Sequence, residues 1–424
     1  MRLVFLAALA KTLHEVTIGL DLAEQLTDAG VESHFVVNPY NAGQLRAAGL
    51  PHTLVEPELG AGVREVVHRI VKEFRADAVV LVDYLAHWMT FKVGYRTDPW
   101  FVEDLGLPVI PLDLYDLEST SRRVEILGTT MEVDDNLLRM PVQLLPVPMN
   151  RPRVTDSGRG LPYRLTRTTA PLTTRARRAT RRALGVPDGA RLLLVPTLPW
   201  QRLMQEHAAP PTRLLADRLP RLLGGRLARL PRDTHFLLAG PLFDGFAEAL
   251  PAERLHHRPE YTADGYHRLL GSCDGVFSFH LPSYALDRAV FADVPGLLAV
   301  NNHRVDGPED VERLAGALPG GLTAPVRRWL ADHPEPLPDF HMWPLRWNEV
   351  LRPLLDANPF TDTVLRAELL DEHTLVDGLE RVLYDDAERD RLAAARAAYR
   401  DAVTALPATA HTFAEAAGRL GLTP

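Results

Sequence analysis

Apolar residues along this chain fall into short unbroken runs, and between the runs they recur every three or four positions. Short apolar runs bounded by turn residues predict buried strands, and the longer recurrence predicts helices packed on them. Residues 2–9 predict a first strand, and 15–29 a helix with Val16, Leu20, Ala23 and either Leu22 or Leu26 inward. Gly30 stands where a helix C-cap belongs, and Ser33–Asn38 predicts a second strand. Helices at 41–48 and 61–74 alternate with strands at 52–55, 78–83 and Leu107–Pro111. This alternation is that of a doubly wound parallel sheet.

Between about 148 and 190 the rhythm fails in a stretch rich in Pro, Thr, Gly and Arg. Residues 151–190 are expected to connect two domains, with a short basic helix at 172–184 whose arginines form a solvated face or contact an acidic partner or a phosphate. The rhythm resumes with strands at Arg191–Pro196, Asp233–Gly240 and His256–Glu260, and a helix at Ala263–Leu270. The segment SCDGVFSFHLPSYALDRAVFADVPGLLAVNN then reads as strand (Gly275–Phe279), turn (Leu281-Pro282-Ser283), helix and strand (Leu297–Val300). That is a βαβ unit, which belongs to a second parallel sheet. From 361 the tail reads as mostly helical, at 374–383, 386–404 and 410–420. The span 319–360, with Trp329, Trp343 and Trp347, yields no assignment. The expected fold class is α/β, with two Rossmann-like domains at 1–150 and 191–400 and a final helix, 401–424, returning to the first domain.

Composition narrows the function. A chain of 424 residues exceeds one ordinary core, and 46% apolar with 24% charged residues is globular. A net charge of −8 excludes the concentrated basic face of a nucleic-acid binder. The single cysteine, Cys273, makes no internal disulfide and reads as a small core residue. The opening MRLVFLAALAKTLHE reads as a buried strand and not as a signal peptide, and no stretch is long enough to span a bilayer. A cytoplasmic protein is expected. Its oligomeric state stays open, a homodimer included.

The first strand lacks a GxGxxG exit, which counts against a nicotinamide or flavin site there. In its place His14 stands at a helix start, where an imidazole is held neutral and suits a general base, or bonds to a loop. Asp83 ends the 78–83 strand and either orients that imidazole or caps the next helix. In the second half Thr197, Trp200, Gln201, Gly240, His280, Ser283, Asn301 and Asn302 stand at strand ends, with Asp287 one turn further on. Thr197 and Ser283 suit phosphate oxygens, Gly240 a close backbone approach, Trp200 stacking on a base or sugar, and Asp287 ribose or sugar hydroxyls. Metal signals are poor. Asp134-Asp135 reads as a loop, His256-His257 and His303 lack zinc spacing, and neither GxxxxGK[ST] nor GxSxG occurs. No metal and no cofactor are expected.

Three segments carry a resemblance: HEVTIGLDLAEQLTDAGVESHFVVNPYNAGQLRAAGLPHTLVEP, ADAVVLVDYLAHW and the βαβ segment from Ser272 to Asn302. With the closing LVDGLERVLYDDAERDRLAAARAAYRDA, they resemble glycosyltransferases of GT-B architecture, loosely the natural-product and MurG-like members, over most of the chain. The resemblance implies an inverting, metal-independent transfer of a hexosyl or N-acetylhexosaminyl group from a nucleotide-diphosphate sugar, UDP-linked among others. The acceptor would be a soluble small molecule or a carrier-bound intermediate. Residues 1–150 would bind the acceptor and 191–400 the donor, His14 would take the acceptor proton, and Asp83 would stabilise the imidazolium. Helix-start N–H groups near 197–201 and 281–284, Tyr284 included, would face the diphosphate. The register of the opening helix is offset by about one residue, so Glu15 is an alternative base. Leu281-Pro282 replaces the family's usual glycine pair. A nucleotide-sugar epimerase of the same build and a catalytically silent GT-B-like partner protein are the competing readings.

Overall fold

A strand whose residues from Leu3 to Ala7 are fully buried can pair only with other strands and must be covered on both faces. In the computed structural model, β1 (Arg2–Ala7) accordingly sits at the middle of a parallel sheet with β2 (Glu32–Val37), β3 (His52–Leu54), β4 (Ala78–Leu81) and β5 (Val109–Pro111). The order is β3-β2-β1-β4-β5, with the direction of winding reversed between β1 and β4. A ribbon of β6 (Arg123–Ile126) and β7 (Thr129–Glu132) follows in the chain. Next, β8 (Gln143–Val147) and β9 (Gly160–Arg164) pair in parallel, and β8 joins the β5 edge through a Leu112–Leu144 bridge. The structure describes residues 1–424 except 11–12, 127–128, 167–170, 209, 281–282, 334, 341–347, 357 and 423–424; side chains at 13–14, 126, 129, 200, 207, 210–211 and 348 also lie outside the description.

The chain divides into two units, one of Met1–Arg122, Glu132–Thr168 and Asp401–Pro424, the other of Arg123–Met131 and Thr169–Arg400. The second unit repeats the first unit's plan. Its strands β10 (Arg191–Pro196), β11 (Thr234–Ala239), β12 (Leu255–Arg258), β13 (Gly275–Ser278), β14 (Gly296–Val300) and β15 (Val364–Glu368) run in the order β12-β11-β10-β13-β14-β15. All these pairs are parallel. In such sheets ligand-binding groups gather beyond the carboxyl ends of the strands at the switch point, here β1/β4 and β10/β13.

Three expectations are corrected. The tail from 361 is not simply helical, because VLRAE at 364–368 forms β15; its arginine and glutamate hide the apolar run of an edge strand. Residues 151–190 are not a free connection: β9 completes the first unit, while the helix Thr174–Leu184 packs in the second. Nor is that helix wholly a solvated face. Arg177 and Arg181 reach Asp274 at 2.7 and 2.9 Å, Arg191 adds a third contact at 3.4 Å, and the Leu192 N–H donates to the same carboxylate at 2.8 Å. Within the unassigned span 319–360, helices Ala324–Ala331 and Asn348–Leu355 form, and bridges pair Asn301 with Phe340 and Val305 with Leu337.

The last helix, Thr409–Arg419, belongs to the first unit, where Thr409 Oγ1 donates to Gln25 Oε1 at 2.9 Å. Gln25 Nε2 in turn donates to the carbonyls of Arg164 and Leu165 at 3.1 and 3.0 Å, tying helix Leu13–Thr27 to the end of β9.

Asp274 is the test of the arginine helix. Asp274→Ala leaves three guanidinium groups facing one another around a buried void, partly relieved by water, and should cost roughly 1–3 kcal/mol. Urea unfolding of the variant should show a lower midpoint. An unchanged midpoint would mean that the arginines do not anchor the helix.

Candidate functional site

At the carboxyl edge of the first sheet, the segments that follow β1, β4 and β5 each deliver a buried carboxylate. The turn after β1 brings the Leu9 N–H to Glu15 Oε2 at 3.0 Å, in the first turn of helix Leu13–Thr27. Asp83, two residues beyond β4, caps helix Tyr84–Met89, its Oδ1 accepting from the Ala86 N–H at 3.0 Å. Asp113, two beyond β5, accepts from the N–H groups of Tyr115 (3.0 Å) and Leu117 (2.7 Å). All three carboxylates are buried. Burial pushes the Glu15 carboxyl well above its ordinary range, and the charge of Asp83 pushes it further. Burial, with Asp116 nearby, pushes Asp113 up to about 8. Glu15 Oε1 has no partner among the described residues. A carboxyl that holds its proton towards neutral pH suits proton exchange with a bound ligand.

At the edge of the second sheet the polar groups instead satisfy one another. Gly240, just past β11, has φ +119°, and a Cβ there would lie 1.9 Å from the Thr197 carbonyl oxygen. The close approach expected at Gly240 is therefore made by the protein's own backbone. Thr197 Oγ1 donates to the Pro241 carbonyl at 2.6 Å. Gln201, in helix Pro199–His207, accepts from the Leu198 N–H at 3.2 Å, and its Nε2 lies 2.8 Å from His280 Nε2. Because an amide nitrogen can only donate, His280 accepts at Nε2 and carries its proton on Nδ1. Ser283 caps helix Tyr84's counterpart in this unit, Tyr284–Ala292, by accepting from the Leu286 N–H at 3.3 Å, and it donates to Ser278 Oγ at 3.0 Å. The Tyr284 hydroxyl accepts from Arg288, whose guanidinium also lies 4.4 Å from the centre of the tyrosine ring. Asp287 is buried with Oδ2 unpartnered among the described residues, and desolvation raises its pKa well above the ordinary value.

The structure thus brings Thr197, Gln201, Gly240, His280 and Ser283 to one edge, with Asp287 in the helix that follows. Glu15 and Asp83 stand together at the other sheet's edge, close enough for the charge of Asp83 to act on Glu15. The side chains of His14 and Trp200 and all of Leu281-Pro282 lie outside the described residues. Asn301 is drawn into a structural role, donating to the Pro338 carbonyl at 2.7 Å, and Asn302 bonds Glu368. Asp134 holds the indole N–H groups of Trp88 and Trp100 at 3.0 and 2.9 Å. His256 pairs with His235 at 3.0 Å, and Cys273 is buried with its thiol pushed up to about 12. Among the described residues no group of three or more His, Cys, Asp or Glu is placed to hold a metal ion, and no helix is long and apolar enough to cross a membrane. Asp113, Asp116 and Asn150 escape the sequence reading, although Asp113 follows its strand as Asp83 follows β4.

Two parallel sheets of this order, each with polar groups at its carboxyl edge, are Rossmann-like, and their succession in one chain is that of the GT-B fold. Solved structures agree over the whole chain. The spinosyn forosaminyltransferase SpnP matches 99% of this chain and 99% of its own at 17% identity and a TM-score of 0.55. The glycosyltransferase VinC, solved in complex with dTDP, matches 99% and 100% at 16% identity and 0.54. HepE of Anabaena, solved with UDP-glucose, matches 99% and 99% at 12% identity and 0.53. At such identities the likeness is one of fold. No curated protein matches the chain. Residues 22–421 match the profile described as Family of unknown function (DUF6365), and the chain belongs to that family.

Two expectations follow from the edges. Gly240→Ala drives a Cβ into the Thr197 carbonyl from a left-handed backbone, so it should destabilise the second unit by roughly 2–4 kcal/mol, seen as a lower urea midpoint. A neutral midpoint shift would show that the turn relaxes freely. Asp113 has a folded-state pKa raised from 3.8 to about 8. Its stabilising share is complete while the group is protonated in both states, below about pH 4, and is lost as pH climbs through that interval. Unfolding midpoints taken from about pH 4 to 9 should fall, and in Asp113→Asn fall less steeply, from a lower start because the amide NH2 faces a backbone N–H. Equal slopes would place the pH dependence elsewhere.

Proposed function

We propose that the chain transfers a sugar from a nucleotide-diphosphate donor to a hydroxyl or amine of a soluble or carrier-bound acceptor, with inversion and without a metal. The observation that carries this reading is the doubled sheet order with polar carboxyl edges, in a chain that matches glycosyltransferases end to end. In this reading the first unit holds the acceptor. A side chain in the opening helix, His14 or Glu15, takes the acceptor's proton as its oxygen or nitrogen attacks the anomeric carbon, and the bond to the diphosphate breaks. Asp83, buried beside Glu15, would stabilise the charged form of a His14 base, whereas it raises the pKa of a Glu15 base and so makes it stronger once ionised. At the second edge, backbone N–H groups at the starts of helices Pro199–His207 and Tyr284–Ala292 favour the negative charge that develops on the departing diphosphate. Asp287 offers an acceptor for a sugar or ribose hydroxyl.

A specific observation favours a second reading, a catalytically silent partner. The hydroxyls of Thr197 and Ser283, which a phosphate would use, donate inward to the Pro241 carbonyl and to Ser278.

Release of UDP or dTDP from candidate sugar donors, measured with and without acceptor, separates the readings. Transfer predicts nucleotide release that rises with acceptor, and loss of at least about 100-fold in either His14→Ala or Glu15→Gln. An isomerised sugar without free nucleotide would mark an epimerase. No turnover of any donor would leave the silent partner, and full activity in both variants would remove the opening helix as the source of the base.

A further inference from the structure

The helix Thr174–Leu184 carries five arginines and no acid, and the fold uses two of them. Arg177 and Arg181 turn inward, to Asp274 and to the carbonyls of Gly271, Cys273 and Ser272. Arg175, Arg178 and Arg182 are exposed and make no hydrogen bond, ion pair or ring contact with any described residue. At about 100° per residue these three lie within about 60° of one another around the helix, on the side away from the buried Leu184. Ala179 and Ala183, also exposed, lie beside them. The outer face is thus a row of guanidinium groups about 10 Å long, flanked by side chains too small to hold a neighbour off.

A solvated helix face ordinarily intersperses acids among its bases, so that pairs at i,i+4 attract. Here no acid occurs anywhere from Ser157 to Pro187. The three outer arginines stand at i,i+3 and i,i+4 from one another and repel. Arg175, the second residue of the helix, also faces the positive end of the helix dipole. The row therefore weakens the helix that bears it until carboxylates arrive from outside.

The rest of the chain decides what can bring them. Its net charge is −8, so an extended polyanion, whether a nucleic-acid strand or an anionic bilayer, meets repulsion beyond the roughly 8 Å over which the row acts. The row has no aromatic side chain to stack on a base and no large apolar one to enter a bilayer. A short acidic helix covers the row and little else. Asp274 immediately precedes β13, and its backbone partner Leu192 is the second residue of β10, so the arginine helix is fastened at the amino ends of the second sheet. An occupant there leaves the carboxyl edge open.

We propose that Arg175, Arg178 and Arg182 form a docking surface for an acidic helix of a partner protein, with Asp or Glu at i, i+3 or i+4, and i+7 paired to the three guanidinium groups. The alanines beside them let the partner's backbone come close. The surface lies within the second unit and does not depend on sugar transfer.

Fluorescence anisotropy on the full chain tests it, with two labelled alanine-based helical peptides of equal composition. One carries three glutamates at i, i+3 and i+7, and in the other they are spread around the helix. In low salt the first should bind saturably, at least about fivefold tighter than the second, and should weaken as salt rises. The triple variant Arg175→Gln, Arg178→Gln, Arg182→Gln should bind it at least about tenfold more weakly, with a urea midpoint equal to or above that of the wild type. A lower midpoint would show that the row has partners within the chain, and would overturn the proposal. No saturable binding, equal binding of the two peptides, or unchanged binding in the variant would overturn it too. So would tighter binding to phosphatidylserine vesicles or to a thymidine oligonucleotide than to the peptide, lost in the same variant, which would mark a membrane or nucleic-acid face instead.

Discussion

A carboxylate taken out of water must be paired with cations, be wrapped in N–H donors, or surrender its charge. This protein uses all three solutions, and their distribution separates scaffold from site. Asp274 is paired: three arginines and a backbone N–H surround it, and the arginine helix is thereby fastened to the second sheet. Asp83 takes a helix-start N–H. Glu15, Asp113 and Asp287 are buried where desolvation dominates and pushes their protons on. The unpaired ones follow strand ends or open helices, where a parallel sheet also presents its free N–H groups.

The two edges differ in kind. The first keeps unsatisfied oxygens, at Glu15, Asp116 and Asn150. The second is mostly closed on itself, Thr197 to Pro241, Gln201 to His280, Ser283 to Ser278. An edge so pre-bonded is rigid before any ligand arrives, and a ligand there must be recognised chiefly by backbone N–H groups and by the few side-chain atoms left over. Rigid donors aimed at a fixed place are what stabilisation of a departing diphosphate requires. The same closure also serves a purely structural turn.

Much of the fold was legible because buried parallel strands leave uninterrupted apolar runs: LLLVP, HFLLA and GVFSF were each read within a residue or two of their bounds. The edge strand VLRAE was not, since Arg366 and Glu368 interrupt its apolar residues. β8 and β9 escaped because proline and glycine interrupt QLLPV and GLPYR. For the site, position was legible and role was not. A serine after a strand is the same letter whether it caps a helix or holds a phosphate, and Ser283 caps. Likewise the glycine at 240 was readable as a point of close approach, but not that Thr197 is what approaches. Asp116 and Asn150 carried no sequence signal, because their burial comes from the packing of segments that follow two separate strands.

Crystals grown with dTDP or UDP bear most directly on the central claim that charge-poor strand edges, and not the paired carboxylates, are where this chain meets its ligands. Diphosphate density against the starts of helices Pro199–His207 and Tyr284–Ala292, within reach of His280, is the predicted result. A nucleotide seated away from that edge, or none at saturating concentration, would contradict it.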